Sequence, residues 1–205
     1  TRYSTKNNIS VSLGHSSATF EQVKQVVNSG AKVFVHTYNG MSPLNHREPG
    51  MVGAAMVLKD TYAELICDGH HVSPIAVKIM MDAKSSNNIA LITDCMRAGA
   101  MEDGKYTLGK FNVNVKNSVA RLNSGSLAGS VLTMDKAVRN IVDWNISTLE
   151  DAIKMATYIP ALSCNIDNVC GSIYQCMDAD FIVTDNDFNI HETYINGICM
   201  YKVNK

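Results

Sequence analysis

The feature that most narrows what this chain can fold into is a four-fold alternation of short apolar runs with helical stretches over residues 9–94. The runs "ISVSLGH" (9–15), "AKVFVH" (31–36), "YAELICDG" (62–69) and "NIALITD" (88–94) are apolar and β-branched enough to be buried strands. Between the first two, "TFEQVKQVVNSG" places Phe20, Val23, Val26 and Val27 at helical spacing. Thr19 and Gln22 there form a capping box, and Gly30 supplies a stop. A long polar loop, "TYNGMSPLNHREPG", then leads into a helical "MVGAAMVLKD", and Ser73 with Pro74 opens a further helix through "IAVKIMMDA". Strands alternating with helices predict parallel βα units, hence an α/β fold.

After Asp94 the pattern changes. "CMRAGAMEDGKYTLG" reads as a loop rich in turn residues, and "KFNVNVKNSVARL" (110–122) alternates like an exposed hairpin. "NSGSLAGS" is a Gly/Ser-rich turn ahead of a helix, "TMDKAVRNIVDW". Ser147 with Glu150 predicts a capping box for "TLEDAIKMATYI", and Pro160 breaks or restarts that helix. From Gly171 onward, "SIYQCMDADFIVTD" and "NIHETYINGICMYKV" read as antiparallel strands of a small β appendage.

The bulk numbers exclude some function classes. The 18 basic and 19 acidic side chains give a net charge of −1, so no global electrostatics draws this chain to nucleic acid or an anionic membrane. No apolar run is long enough to span a bilayer, and no signal peptide is visible. The six cysteines form no C-x-x-C pair and read as reduced thiols of a cytoplasmic protein. No nucleophile elbow, phosphate-binding loop or dinucleotide fingerprint is present.

In parallel βα folds, functional side chains gather at the carboxyl ends of the strands. Four successive strands here end on His15, His36, the Asp68–His71 cluster and Asp94. His15 and His36 lie 21 positions apart, one βα repeat, so both imidazoles emerge on one rim. Two neutral imidazoles with an added carboxylate suit a divalent metal. Each residue also has a plainer role open to it: a strand-end histidine can be a hydrogen-bonded structural residue, and Asp68 can anchor its own turn. His70 and His71 are adjacent, so only one can face the rim, while His46 reads as solvated and His191 as structural. Arg47 in "HREPG" either grips an anion with its planar fork or pairs with Glu48. From the residues alone, the reading is a metal-assisted hydrolase or isomerase on a parallel βα scaffold.

A sharper indication comes from five segments in order: "SLGHSSAT", "HTYNGMSPLNHREPGMVGAA", "DGHHVSP", "LITDCMRAGAMEDGKYTLG" and "LNSGSLAGSVLTMDKAVRN". Together they resemble the N-acetylglucosamine-6-phosphate deacetylases, a family of the amidohydrolase superfamily. The resemblance runs over essentially the whole chain and corresponds to the C-terminal half to two-thirds of such an enzyme. It implies the second half of a metal-dependent (βα)8 barrel, strands five to eight, within residues 1–165. Residues 166–205 would supply C-terminal strands of the family's small β domain.

The resemblance also implies roles. His15 and His36 match metal ligands, and Asp94 matches the catalytic aspartate, a general base and acid working on metal-activated water. Asn39 and Gly40 match a pair that touches the sugar phosphate, Arg47 the phosphate-gripping arginine, and His71 the substrate-binding histidine. Leu127, Ala128 and Gly129 match a loop closing over the sugar. The implied reaction releases acetate from N-acetylglucosamine 6-phosphate, a small phosphorylated amino sugar, to give glucosamine 6-phosphate. The implied cofactor is a divalent metal ion (zinc, iron or manganese), and the implied assembly a homodimer.

The chain departs from that pattern at its front. A (βα)8 barrel takes about 250 residues, and only four βα units precede Asp94. The carboxylate ligand and other histidines that earlier strands bring in the family are not found. The expectation is therefore a fragment carrying part of a site, weakly active or inactive alone, or a standalone half-barrel. Two other functions stay open: a non-catalytic phosphosugar-binding half-barrel, and an amidohydrolase acting on another acylated amino sugar.

Overall fold

A computed structural model describes residues 1–203. A short helix, α1 (Arg2–Lys6), precedes β1 (Ser12–Leu13), α2 (Phe20–Val27), β2 (Val33–Phe34), α3 (Gly50–Val57), β3 (Tyr62–Ile66), α4 (Pro74–Lys84) and β4 (Ile89–Ile92). The strands pair in parallel in chain order, β1-β2-β3-β4, as the βα alternation predicts. The caps follow the sequence: Thr19 and Gln22 close a complete capping box on α2, and Ser73 caps α4 with Pro74 at its first position. Helix α1 has no counterpart in the sequence reading.

The strands are shorter than the apolar runs. Residues 9–15 yield only Ser12–Leu13, and 31–36 only Val33–Phe34. The reason lies at their ends, where His15 (φ 43°) and His36 (φ 28°) turn into left-handed backbone that no ladder accommodates.

Strand periodicity splits β3 between two environments. Ala63 and Leu65, with Cys67 just beyond the strand, pack into a core with Met51 of α3 and Val77 and Met80 of α4. Leu65 is fully buried, a contribution of about 1.5–3 kcal/mol. Tyr62 and Glu64 alternate onto the opposite face and are only half-buried.

Beyond Asp94, β5 (Gly104–Leu108), β6 (Phe111–Lys116) and β7 (Val119–Leu122) form an antiparallel sheet in chain order. This corrects the loop expected over 95–109: Gly104–Leu108 is a strand, pairing Gly104 with Val115 through Leu108 with Phe111. Its small core unites Val113, Val115 and Ala120 with Met96, Ala98 and Ala128. Helices α5 (Met134–Asp143), α6 (Leu149–Ala156) and α7 (Tyr158–Cys164) follow.

Two helix signals shift by a few residues. Thr148, not Ser147, caps α6 by accepting the Asp151 N–H. The chain breaks at Thr157 (φ −131°, ψ −78°) rather than at Pro160, which sits in the first turn of α7 where no N–H is needed.

The terminal sheet, β8 (Phe181–Thr184), β9 (Ile190–Ile195) and β10 (Ile198–Lys202), is antiparallel in the order β10-β9-β8. Strand structure begins at Phe181, ten residues later than the sequence suggested. Arg139 of α5 ties this sheet down by donating to the Phe188 carbonyl at 2.8 Å and to Asn189 Oδ1 at 3.0 Å. Ile182, Val183, Ile195, Ile198 and Met200 remain exposed on it. Among the described residues, no helix is long and apolar enough to cross a membrane.

One buried cation ties the end of α4 to the connection between α3 and β3. Lys84, at the end of α4, donates to the Leu58 carbonyl and to Thr61 Oγ1, each at 2.8 Å. Burial lowers its ammonium to about 8 from the ordinary 10.5, with Asp60 opposing the shift. Between those values the unfolded chain binds the extra proton, so this group's contribution to stability rises with pH across about 8 to 10.5. Urea unfolding of the wild type and Lys84→Met at a series of pH values should show the difference moving in the wild type's favour over that window, and staying flat below it.

Candidate active site

Of the four strand ends that carry predicted rim residues, three leave the sheet through left-handed backbone at the predicted residue itself. His15, His36 and Asp94 have φ of 43°, 28° and 46°. Such strain in non-glycine residues costs about 1–3 kcal/mol each and persists only where the surroundings over-determine it. The main chain shows how it is held. Ser16 N–H donates to the Gly40 carbonyl (2.9 Å), and Ser42 N–H to the Ser16 carbonyl (3.0 Å), so the strand-β1 end is stitched to the loop after β2. A Cβ on Gly40 would lie within 3.0 Å of the His15 ring, which fixes glycine there.

The two imidazoles meet. Their ring centroids are 4.8 Å apart at an interplanar angle of 72°. Nδ1 of His36 is buried and has no hydrogen-bond partner among the described residues. An unpartnered buried nitrogen is costly, and beside a second imidazole it matches the donor set of a divalent ion. The predicted pair therefore fits a metal. Among the described residues, however, no group of three or more His, Cys, Asp or Glu is placed to hold one.

Asp94 ends β4 exposed, and the predicted sugar-covering loop is clamped against it. Ser130 N–H donates to the Asp94 carbonyl (2.8 Å), and Met96 N–H to the Ser130 carbonyl (2.9 Å). Ser130 Oγ also donates to the Thr93 carbonyl. Gly129 (φ 64°) packs so closely that an added Cβ would sit 3.3 Å from the Asp94 oxygen. Leu127, Ala128 and Gly129 thus stand beside the strand-β4 end, where Ala128 also plugs the core under the β5–β7 sheet.

Asn39 sits directly behind His36, its N–H donating to the His36 carbonyl at 3.0 Å. Tyr38 (φ 82°) reaches across to donate its hydroxyl to the Ala76 carbonyl of α4 (2.8 Å), and burial pushes its phenol up to about 12. Arg47 is exposed and makes no hydrogen bond or ion pair among the described residues. Its alternative partner is engaged elsewhere, because Glu48 Oε1 accepts the Phe20 and Gly50 N–H groups. The guanidinium is therefore free for an anion. His46 is exposed, as expected, and His191 pairs with Asp185 at 3.2 Å on the terminal sheet.

His71, not His70, is the organised member of its pair. Its Nδ1 lies 2.6 Å from Asp68 Oδ2, and Asp68 Oδ1 accepts the His70 and His71 N–H groups, each at 2.8 Å. Asp68 so both anchors its turn and orients the imidazole, leaving Nε2 as the ring's other nitrogen. Burial would raise the Asp68 carboxyl, but the hydrogen bonds from His71 and His70 outweigh it and hold it below the usual carboxylate range.

Sequence reasoning missed Glu64. Its Oε2 accepts the His36 N–H at 3.2 Å, and burial pushes its carboxyl above the usual range, with the His36 N–H working against that and the Asp94 charge adding to it. A signal was available: a single carboxylate inside the apolar strand "YAELI", on the face opposite Ala63 and Leu65, requires a partner.

With this geometry in hand, comparison with known proteins gives a consistent picture. The model of the Amidohydrolase family matches residues 5–199. The chain is 44% identical over 196 residues to an N-acetylglucosamine-6-phosphate deacetylase of Vibrio furnissii, covering 96% of this chain and 49% of that protein. It is 42% identical to an N-acetylgalactosamine-6-phosphate deacetylase of Escherichia coli O157:H7, covering 96% and 52%. The crystal structure of N-acetylglucosamine-6-phosphate deacetylase from Thermotoga maritima superimposes with a TM-score of 0.93 at 37% identity, covering 98% of this chain and 55% of that one. The chain spans about half the length of the curated relatives it matches.

The Asp68 anchor yields a pH-resolved test. Because its folded-state carboxyl lies below the ordinary 3.8, its contribution is complete above that pH and is lost as pH falls below it. Asp68→Ala should cost about 2–3 kcal/mol at neutral pH, the scale of hydrogen bonds to a charged group. Unfolding curves of wild type and variant should converge in acid below the ordinary carboxylate value.

Proposed function

The chain belongs to the amidohydrolase family, and we propose that it supplies the metal-binding histidines, general base and phosphate grip for hydrolysis of the N-acetyl amide of N-acetylglucosamine 6-phosphate. The observation that carries this reading is the His15–His36 pair, 4.8 Å apart with a buried, unpartnered His36 Nδ1. The family is generally dependent on a divalent metal, and the relatives act on phosphorylated amino sugars. In this reading β1 to β4 are strands five to eight of a (βα)8 barrel spanning residues 1–165, and residues 166–205 belong to a small β domain.

His15 and His36 hold the ion. When bound, a divalent metal supplies Lewis-acid activation of water and polarisation of a carbonyl oxygen. Asp94 takes the proton from the attacking water and returns it to the amide nitrogen as the C–N bond breaks and the new C–O bond forms, giving acetate and the free amine. Arg47, partnerless and exposed, grips the 6-phosphate, with Asn39 and Gly40 beside it. His71, oriented by Asp68, binds the sugar, and residues 127–129 close over it. Remote phosphate contacts of this kind supply binding energy that positions the reacting amide. The free Arg47 also suits a homodimer in which it reaches a neighbouring copy. Six free thiols support a reducing, cytoplasmic setting.

A pair of imidazoles holds metal weakly by itself, so the 205-residue chain alone should turn over slowly even with added zinc. Turnover near that of the full-length relatives would defeat this expectation. Asp94→Asn should lower hydrolysis by about 10²–10⁴-fold while N-acetylglucosamine 6-phosphate still binds. A chain that binds the phosphosugar without Asp94-dependent hydrolysis would instead be a binding module. Preferential turnover of the N-acetylgalactosamine epimer would reassign the substrate within the same chemistry.

A further inference from the structure

We infer that Glu64 is a positioning residue for His36, holding the left-handed strand end that aims its imidazole at the metal position. The paired register of β2 with β3 stops at Phe34 opposite Ala63, while β3 runs on to Ile66 against β4. The chain at the end of β2 therefore has N–H groups facing β3 without a continuing ladder. Two of them are taken up by one residue. Thr37 N–H donates to the Glu64 main-chain carbonyl at 2.8 Å, and His36 N–H donates to Glu64 Oε2 at 3.2 Å.

Glu64 thus brackets residue His36, with its side chain doing for one N–H what its backbone does for the next. The two peptides so held are the ones on either side of the His36 Cα, the residue whose φ of 28° needs over-determination. On its other flank, His36 is tied through its carbonyl to the Asn39 N–H. No other group among the described residues accepts the His36 N–H, so at this point the strand end from which the imidazole projects depends on this one acceptor. A carboxylate inside an otherwise apolar strand is costly to bury, and the bond it makes here lies directly behind the proposed ligand. Outer partners that orient a ligating histidine through its ring N–H typically change metal affinity by about 10–100-fold, which sets the scale for a contact to its main chain.

This inference rests on the metal-pair reading of His15 and His36, and two readouts separate the two. The variants are Glu64→Gln, which keeps an acceptor oxygen, and Glu64→Met, which fills the same space without one. In the metal-free 205-residue chain, His36 amide hydrogen exchange followed by NMR should be similar in wild type and Glu64→Gln and at least about tenfold faster in Glu64→Met. Titration with Co(II), followed by its visible absorption, should give affinities within about threefold for wild type and Glu64→Gln, and about 10–100-fold weaker for Glu64→Met. His36→Ala serves as the control for ligation. Unchanged exchange in Glu64→Met, or equal losses in Glu64→Gln and Glu64→Met, would overturn the positioning role. Co(II) binding indifferent to His36→Ala would instead overturn the metal pair, leaving the exchange result to decide Glu64 by itself.

Discussion

The peptide groups at the carboxyl ends of the parallel strands must find acceptors once they leave the ladder, and the candidate site is built from the solutions. Buried backbone N–H groups are almost always paired. At β1 the partners come from the Gly40–Ser42 loop, at β2 from Glu64, and at β4 from Ser130. Each solution brings a second segment of chain to the rim: the loop bearing Asn39 and Arg47, the inward face of β3, and the 127–130 turn. Each of the three strand ends is thereby tied to a second segment that carries proposed site residues. The left-handed φ values at His15, His36 and Asp94 mark the same three points.

Much of this was legible in the residues. The switch between strand-like runs and helical spacing located the four parallel strands, and their final residues named the rim. The cap at Thr19 and the Ser73–Pro74 start also follow from local chemistry, whereas the choice of His71 over His70 rests on the family resemblance alone. Other features depend on tertiary contacts that no local pattern encodes. "GKYTL" carries glycine and sits among turn residues, yet becomes β5 because β6 offers its edge in register. The shift from Ser147 to Thr148 as cap is one position, decided by which hydroxyl meets the Asp151 N–H. Glu64 was overlooked because its partner is a backbone N–H 28 positions earlier in the chain, contributed by a strand end whose geometry only the fold defines.

The region beyond Asp94 has the topology of a closed loop. The chain leaves the rim at Asp94, forms the β5–β7 sheet and returns at Ser130 to bond Asp94 again. Such an excursion costs little more in closure entropy than a shorter one, and its own core of Val113, Val115 and Ala120 gives it internal order. Ala128 belongs to that core and to the turn facing Asp94 at once. The 127–130 turn and the Asp94 backbone are therefore parts of one clamp.

Arg47 is the contrast within this arrangement. His15, His36, Asp94 and residues 127–130 are each fixed by main-chain bonds at or beside the residue. The backbone around Arg47 is held as well, by the Asn45 N–H donating to the Glu48 carbonyl (3.2 Å) and by the Glu48 carboxylate accepting the Phe20 and Gly50 N–H groups, but its exposed guanidinium has no partner among the described residues. A reacting carbonyl must be met within a fraction of an ångström, so the groups around it gain from rigidity. A phosphate several bonds away can be met by a flexible fork, which keeps its full charge at any working pH. In the proposed site the strand ends thus fix the backbone of the groups nearest the reacting amide, while the anion contact is left to a side chain that nothing else engages among the described residues.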